Sequence, residues 1–199
     1  MMCLTCRAPT ACALCRRCRS ELRPGAELLT ATGSVVRCAL LHTGPARRLV
    51  HLLKYAGVRA AATPLAEAMA PLMDTAVPAI VPVPRAAARR WRYGVDPGVE
   101  LAAALASLTG LPVLKALRAE LWHRRRAGGG GSKRGAPRFT SRWAIPGGVV
   151  LIDDVYTTGA TLQAAGEALG GVAAAVTATV APSAVGAAAP PGAHRPGLP

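Results

Sequence analysis

Val149-Val150-Leu151-Ile152-Asp153-Asp154-Val155-Tyr156-Thr157-Thr158-Gly159-Ala160-Thr161 decides the fold of this chain. From Val149 to Ile152 the run is continuously apolar and bounded by turn signals, the pattern of a strand buried on both faces in a parallel sheet. Two carboxylates follow, and a Thr-Thr-Gly-Ala-Thr turn opens a helix expected over Thr161 to Leu169. In open parallel sheets ligands lie beyond the carboxyl ends of the strands. A helix start at that place offers unpaired N–H groups and the positive end of a dipole, which together suit a phosphate. Thr157, Thr158 and Thr161 add hydroxyl donors, and Gly159 lets the backbone approach closely. Asp153 and Asp154 would repel a phosphate set against them. One group further along, they accept hydrogen bonds from sugar hydroxyls or hold Mg²⁺ through water. The loop therefore reads as a grip on a ribose at one end and on its 5′-phosphate at the other. A plain capped helix start explains one acid and one threonine, but not two adjacent acids on a strand end. A Walker-type phosphate loop is excluded, because the segment has no Lys.

Outward from this loop, strands alternate with helices. Val35 to Leu41 reads as a strand, Pro45 to Lys54 as a Pro-initiated helix with Leu49, Leu52 and Leu53 at helical spacing, and Pro64 to Asp74 as a second helix. Ala79 to Pro84 is a short strand running into a stiff turn. Pro97 to Leu108 is a helix closed by Gly110, Pro112 to Leu117 a further strand, and Val172 to Val180 a β-branched strand. The alternation predicts an α/β fold with a parallel sheet of about five strands flanked by helices. Arg118 to Arg142, with its arginine and glycine runs, cannot bury a core and is read as a mobile functional loop or a linker. The expected division is a knuckle segment over 1–30, the α/β domain over 31–181, and a disordered Ala/Pro/Gly tail over 182–199.

Five of the six cysteines fall in the first eighteen residues, as Cys3-x-x-Cys6 and Cys12-x-x-Cys15-x-x-Cys18. Two-residue spacing lets both thiolates of a pair reach one metal, and two such knuckles complete a tetrahedral Zn site. Disulfides are the rival reading, disfavoured by the odd count in the cluster and by an expected cytoplasmic location. Leu14 to Leu22 looks like a knuckle leading into a helix, so Cys3, Cys6, Cys15 and Cys18 are the expected ligands. Cys12 is a spare thiol or an alternative ligand. Cys38, in an apolar run, reads as a core residue.

The formal net charge is +14, and no basic residue lies between Trp143 and His194. A basic surface attracts polyanions such as nucleic acid, though a highly phosphorylated small molecule meets the same condition. No apolar run approaches the roughly 20 residues of a membrane span. The first residues carry no charged start followed by an apolar stretch, so no secretion signal is expected.

The thirteen-residue loop resembles the signature of type I phosphoribosyltransferases. With the cysteine knuckles, Leu53-Lys54-Tyr55-Ala56-Gly57, Val81-Pro82-Val83-Pro84-Arg85 and Arg90-Trp91-Arg92-Tyr93-Gly94-Val95-Asp96, it is similar to the ComF (competence-associated) family. The resemblance implies a phosphoribosyltransferase fold binding phosphoribosyl pyrophosphate with Mg²⁺. Asp153 and Asp154 would hold ribose and metal, and Thr157, Thr158, Gly159, Ala160 and Thr161 the 5′-phosphate. Arg85 would meet the pyrophosphate. Arg118 to Arg142 would take the place of the hood that closes over the site. Purine-salvage relatives carry a carboxylate where this chain has Thr157, which disfavours hypoxanthine–guanine chemistry here. Among partners, the resemblance adds DNA or a protein of the competence machinery.

Overall fold

The computed structural model describes residues 1–30, 33–120, 137–172 and 174–187. Its main sheet has five strands: β1 (Glu27–Leu29), β2 (Val35–Leu41), β3 (Ile80–Pro82), and two later strands, Val150–Tyr156 and Ala174–Val180. Between them run α1 (Arg16–Ser20), α2 (Gly44–Tyr55), α3 (Ala62–Met69), α4 (Ala87–Tyr93) and α5 (Pro97–Thr109). The short strands β4 (Leu117–Ala119) and β5 (Phe139–Ser141) pair antiparallel outside the main sheet. The two later strands are then β6 and β7, joined by α6 (Ala160–Ala168), and α7 (Pro182–Ala187) follows. Strand order is β1-β2-β7-β6-β3, parallel throughout except for the antiparallel edge strand β1. No helix among the described residues is long and apolar enough to cross a membrane.

The centre of the sheet is buried on both faces because β6 alternates its apolar residues between two cores. Val150 and Ile152 join Leu49, Leu53, Leu65, Met69, Leu101 and Leu105 under α2, α3 and α5. Val149 and Leu151 pack instead with Val81, Ala175 and, from α6, Leu162 and Ala165. A continuous apolar run is thus the sequence form of a two-sided strand. The N-terminal knuckle is not a separate body, since Cys3, Leu14 and Cys18 are part of the α2/α3/α5 core. Arg19 Nη1 also reaches Glu67 Oε2 on α3, at 3.2 Å.

Several elements differ from the sequence expectation. β6 does not stop at Ile152 but runs through both aspartates, with Tyr156 opposite Val180 of β7. A charged residue can lie in a central strand there because a lysine on α2 meets it. The strand expected over Pro112 to Leu117 is reduced to one bridge, Val113 to Ile80, and chain pairing resumes only in β4. α3 starts two residues before Pro64; the missing proline N–H costs nothing in a first turn, where N–H groups have no partner in the helix. α4 was not expected as a helix. It buries no residue, so it carries no apolar period, and only the left-handed Gly94 at its end marks it. The stretch expected to lack order from Pro182 begins with α7. Most of the expected hood, residues 121–136, lies outside the described residues, and its two flanks form β4 and β5.

Candidate functional site

β6 delivers Asp153 and Asp154 to the carboxyl end of the sheet, where the chain turns through Thr157, Thr158 and Gly159 into α6. Because strand side chains alternate, the two adjacent acids leave opposite faces. Asp154 lies on the α2 side, buried at 7% exposure, and its Oδ1 is 2.9 Å from Lys54 Nζ. Asp153 is half-buried, and its Oδ1 accepts the Asp154 N–H at 2.8 Å. Thr157 and Thr158 are exposed, Thr158 Oγ1 accepting the Ala160 N–H at 3.5 Å, and Thr161 is half-buried. Gly159 caps α6 at φ +79°, and a Cβ there would lie 2.8 Å from the Tyr156 hydroxyl. Only glycine fits this position, on both backbone and steric grounds. The start of α6 sets first-turn N–H groups beside these exposed threonines, an arrangement that can bind a phosphate.

Arg85 follows β3 at the same end of the sheet. Its backbone N–H donates to both carboxylate oxygens of Asp96, at 3.2 and 3.0 Å. Its guanidinium donates to the Lys54 carbonyl at 2.6 Å and lies over the Tyr93 ring at 4.7 Å and the Tyr55 ring at 5.5 Å. The structure therefore brings Arg85 to Lys54, a step away from the α6 turn. Gly98, in the first turn of α5, permits the close packing that sets Asp96 here, since a Cβ would collide with the Val83 carbonyl oxygen.

Lys54 pairs with Asp154 and also feels the charge of Asp153, while Asp96 accepts the Arg85 N–H and lies in the field of Arg90. Burial, then the Asp154 charge, push Asp153 up to about 8, only partly offset by Lys54. Burial raises Asp96 as well, against the pull of the Arg85 N–H. Burial opposes the charged form of Lys54, but Asp154 outweighs it and the net shift is upward. Carboxylate oxygens are hard ligands of the kind Mg²⁺ takes.

Behind the pair, Thr179 Oγ1 donates to the Asp154 carbonyl at 3.1 Å and meets His42 Nδ1 at 2.9 Å. The threonine has one proton to give, so His42 Nδ1 carries the hydrogen of that contact. Burial, then Lys54, lower the His42 pKa and keep its ring neutral. Thr179 and His42 carry no local signal in the sequence, and Asp96 stands there only as the end of the Arg90–Asp96 stretch. The available signal was the Lys54-Tyr55 pair at the close of an amphipathic helix, which becomes meaningful only when Asp154 is opposite.

The four expected cysteines converge. The Sγ atoms of Cys3, Cys6, Cys15 and Cys18 lie within 4.8 Å of one another, close enough to hold one metal such as zinc. Exposed Cys12 stays outside the group, and Cys38 is buried in the core. Burial opposes ionisation of Cys3, but donors from Cys6, Thr5 and Cys15 outweigh it and lower the thiol to about 5. The Thr5 contact lowers Cys18, yet burial and its hydrogen bonds to the other three thiols push it up to about 12. A cation among the four sulfurs would let all of them ionise.

A cavity of about 470 Å³ lies at the opposite, amino-terminal end of the strands, between α6 and β2, far from these groups. No family model matches the chain, and no curated protein matches it. Among solved structures it is similar to an orotate phosphoribosyltransferase from Aeropyrum pernix, at 21% identity over 80% of this chain and 75% of that one, with a TM-score of 0.36. Likeness of that degree carries no argument about a ligand, which rests on the loop's own geometry.

Proposed function

We propose that this chain is a ComF-like member of the type I phosphoribosyltransferases. It binds phosphoribosyl pyrophosphate with Mg²⁺ at the β6–α6 turn and transfers the phosphoribosyl group to an acceptor. One observation carries the reading: a central parallel strand hands two aspartates and a left-handed glycine turn directly to a helix start. Asp153 and Asp154 face the ribose hydroxyls and the metal. The N–H groups and hydroxyls from Thr157 to Thr161 take the 5′-phosphate. Mg²⁺, when bound, would offset the charge on the pyrophosphate as it leaves the anomeric carbon. Arg85 leaves the Lys54 carbonyl to meet that pyrophosphate as a charge-assisted donor. Catalysis then comes from positioning and from stabilising the leaving group as the sugar becomes oxocarbenium-like. The cysteine set holds a structural Zn²⁺, because four protein ligands leave no position open for substrate.

Calorimetry with phosphoribosyl pyrophosphate and Mg²⁺ tests the reading. Binding lost in the Asp153→Asn, Asp154→Asn double variant is expected, and an absence of binding by the folded wild type would refute it. Pyrophosphate release over a panel of acceptors separates transfer from ligand sensing.

A second reading, nucleic-acid handling, is favoured by α4. Trp91 is 93% exposed there, between Arg90 and Arg92. An exposed indole among arginines offers stacking together with phosphate contact. Salt-dependent retardation of labelled single-stranded DNA, weakened in Trp91→Ala, supports this reading. No retardation at low salt removes it.

A further inference from the structure

Lys54 is the one basic side chain among the described residues that forms an ion pair with Asp154. Its ammonium is 2.9 Å from Oδ1, with side-chain exposures of 22% for the lysine and 10% for the aspartate. Two features fix the lysine at its base. It lies in the last turn of α2, and its neighbour Leu53 is fully buried in the core. The four-carbon stem beyond that anchor has rotatable bonds and can carry the ammonium elsewhere without backbone movement.

An ammonium and a divalent cation compete for the same carboxylate, because they repel at short range in a partly desolvated site. As the structure stands, Lys54 neutralises the acid that a metal needs. A ligand bearing phosphate would give the ammonium another anion to meet. We propose that Lys54 is a displaceable counter-ion: it holds Asp154 until a phosphorylated sugar arrives, then passes to the ligand's phosphate and opens the aspartates to a divalent cation. The inference rests on the ribose-phosphate reading of the loop and adds an order to it. Metal and ligand bind together, and metal alone binds weakly.

Mn²⁺ is the probe, since it takes oxygen ligands as Mg²⁺ does and free aquo-Mn²⁺ is read directly by electron paramagnetic resonance. The full chain with its thiol site loaded with zinc is titrated with Mn²⁺ alone, then with phosphoribosyl pyrophosphate present, against a protein-free baseline. Wild type is expected to bind Mn²⁺ alone weakly and at least tenfold more tightly with the ligand. Lys54→Met should bind Mn²⁺ alone at least tenfold more tightly than wild type and lose most of the ligand's effect. Asp154→Asn should bind it in neither condition. If folded Lys54→Met gains no affinity for bare Mn²⁺, the ion pair is only structural and the inference is overturned. Lys54→Arg, which keeps the pair, should continue to exclude bare metal; should Lys54→Met not fold, bare-metal binding by Lys54→Arg equal to Mn²⁺ binding with ligand overturns it instead. Failure of wild type to bind phosphoribosyl pyrophosphate in calorimetry refutes the ribose-phosphate reading. The bare-metal comparison still reports on Lys54 by itself.

Discussion

Replacing Gly159 by alanine separates two costs that coincide in the proposed phosphate turn. The residue sits at φ +79°, and the new Cβ would stand 2.8 Å from the Tyr156 hydroxyl and 3.2 Å from two ring carbons. Forcing an L-residue into the left-handed region costs about 1–2 kcal/mol. Moving the tyrosine ring off its rotamer adds about 0.5–1.5 kcal/mol. Lower entropy of the unfolded chain returns about 0.4–1 kcal/mol. The net expectation is a destabilisation of about 0.5–3 kcal/mol, equivalent to a drop in Tm of about 1–12 °C for a chain of this size. Gly110→Ala is the control, because Gly110 closes α5 at φ +75° with nothing within 4 Å of an added Cβ. It bears the backbone cost without the clash. Urea unfolding followed by circular dichroism measures both variants, and calorimetry with phosphoribosyl pyrophosphate measures ligand affinity. Gly159→Ala should be the less stable of the two and should lose ligand binding, while Gly110→Ala retains it. Equal stability of the two variants, together with intact binding by Gly159→Ala, would refute both the steric reasoning and the assignment of the turn.

Asp153 supplies a pH signature. Its folded pKa, about 8, lies above the unfolded value, so its stabilising proton is fully present below the unfolded pKa and is lost as pH rises through about 8. Asp153→Asn should therefore be more stable than wild type at pH 9 and show a smaller advantage at pH 5, by thermal melts in matched buffers; an advantage independent of pH would count against the buried acid pair. For the knuckle, Cys18→Ala should drop zinc content from about one ion per chain, by elemental analysis, and destabilise the α2/α3/α5 core that Cys18 helps to form. Cys12→Ala should retain the metal, and loss of zinc in that variant would reassign the ligand set.

Local chemistry in the chain specified the central strand, the glycine turn, the helices starting at Pro45 and Pro97, and the four-cysteine set. Each of these has a short-range cause: apolar continuity, positive-φ glycine, proline at a first turn, or two-residue ligand spacing. The tertiary structure decided what depends on distant partners. β6 extends through two acids because Lys54 on α2, far earlier in the chain, meets one of them, Asp154. β1 joins as an antiparallel edge strand, and β4 pairs with β5 apart from the sheet, because strand pairing joins segments whose partners no local pattern names. α4 has no buried face to announce it, so no apolar period marks it as a helix. Arg85 could be read as a basic residue after a strand, but its engagement with Tyr93, Asp96 and the Lys54 carbonyl exists only once β3, α2 and α5 converge. A side chain's chemical type is fixed by the sequence; which charge it faces is fixed by the packing of elements far apart along it.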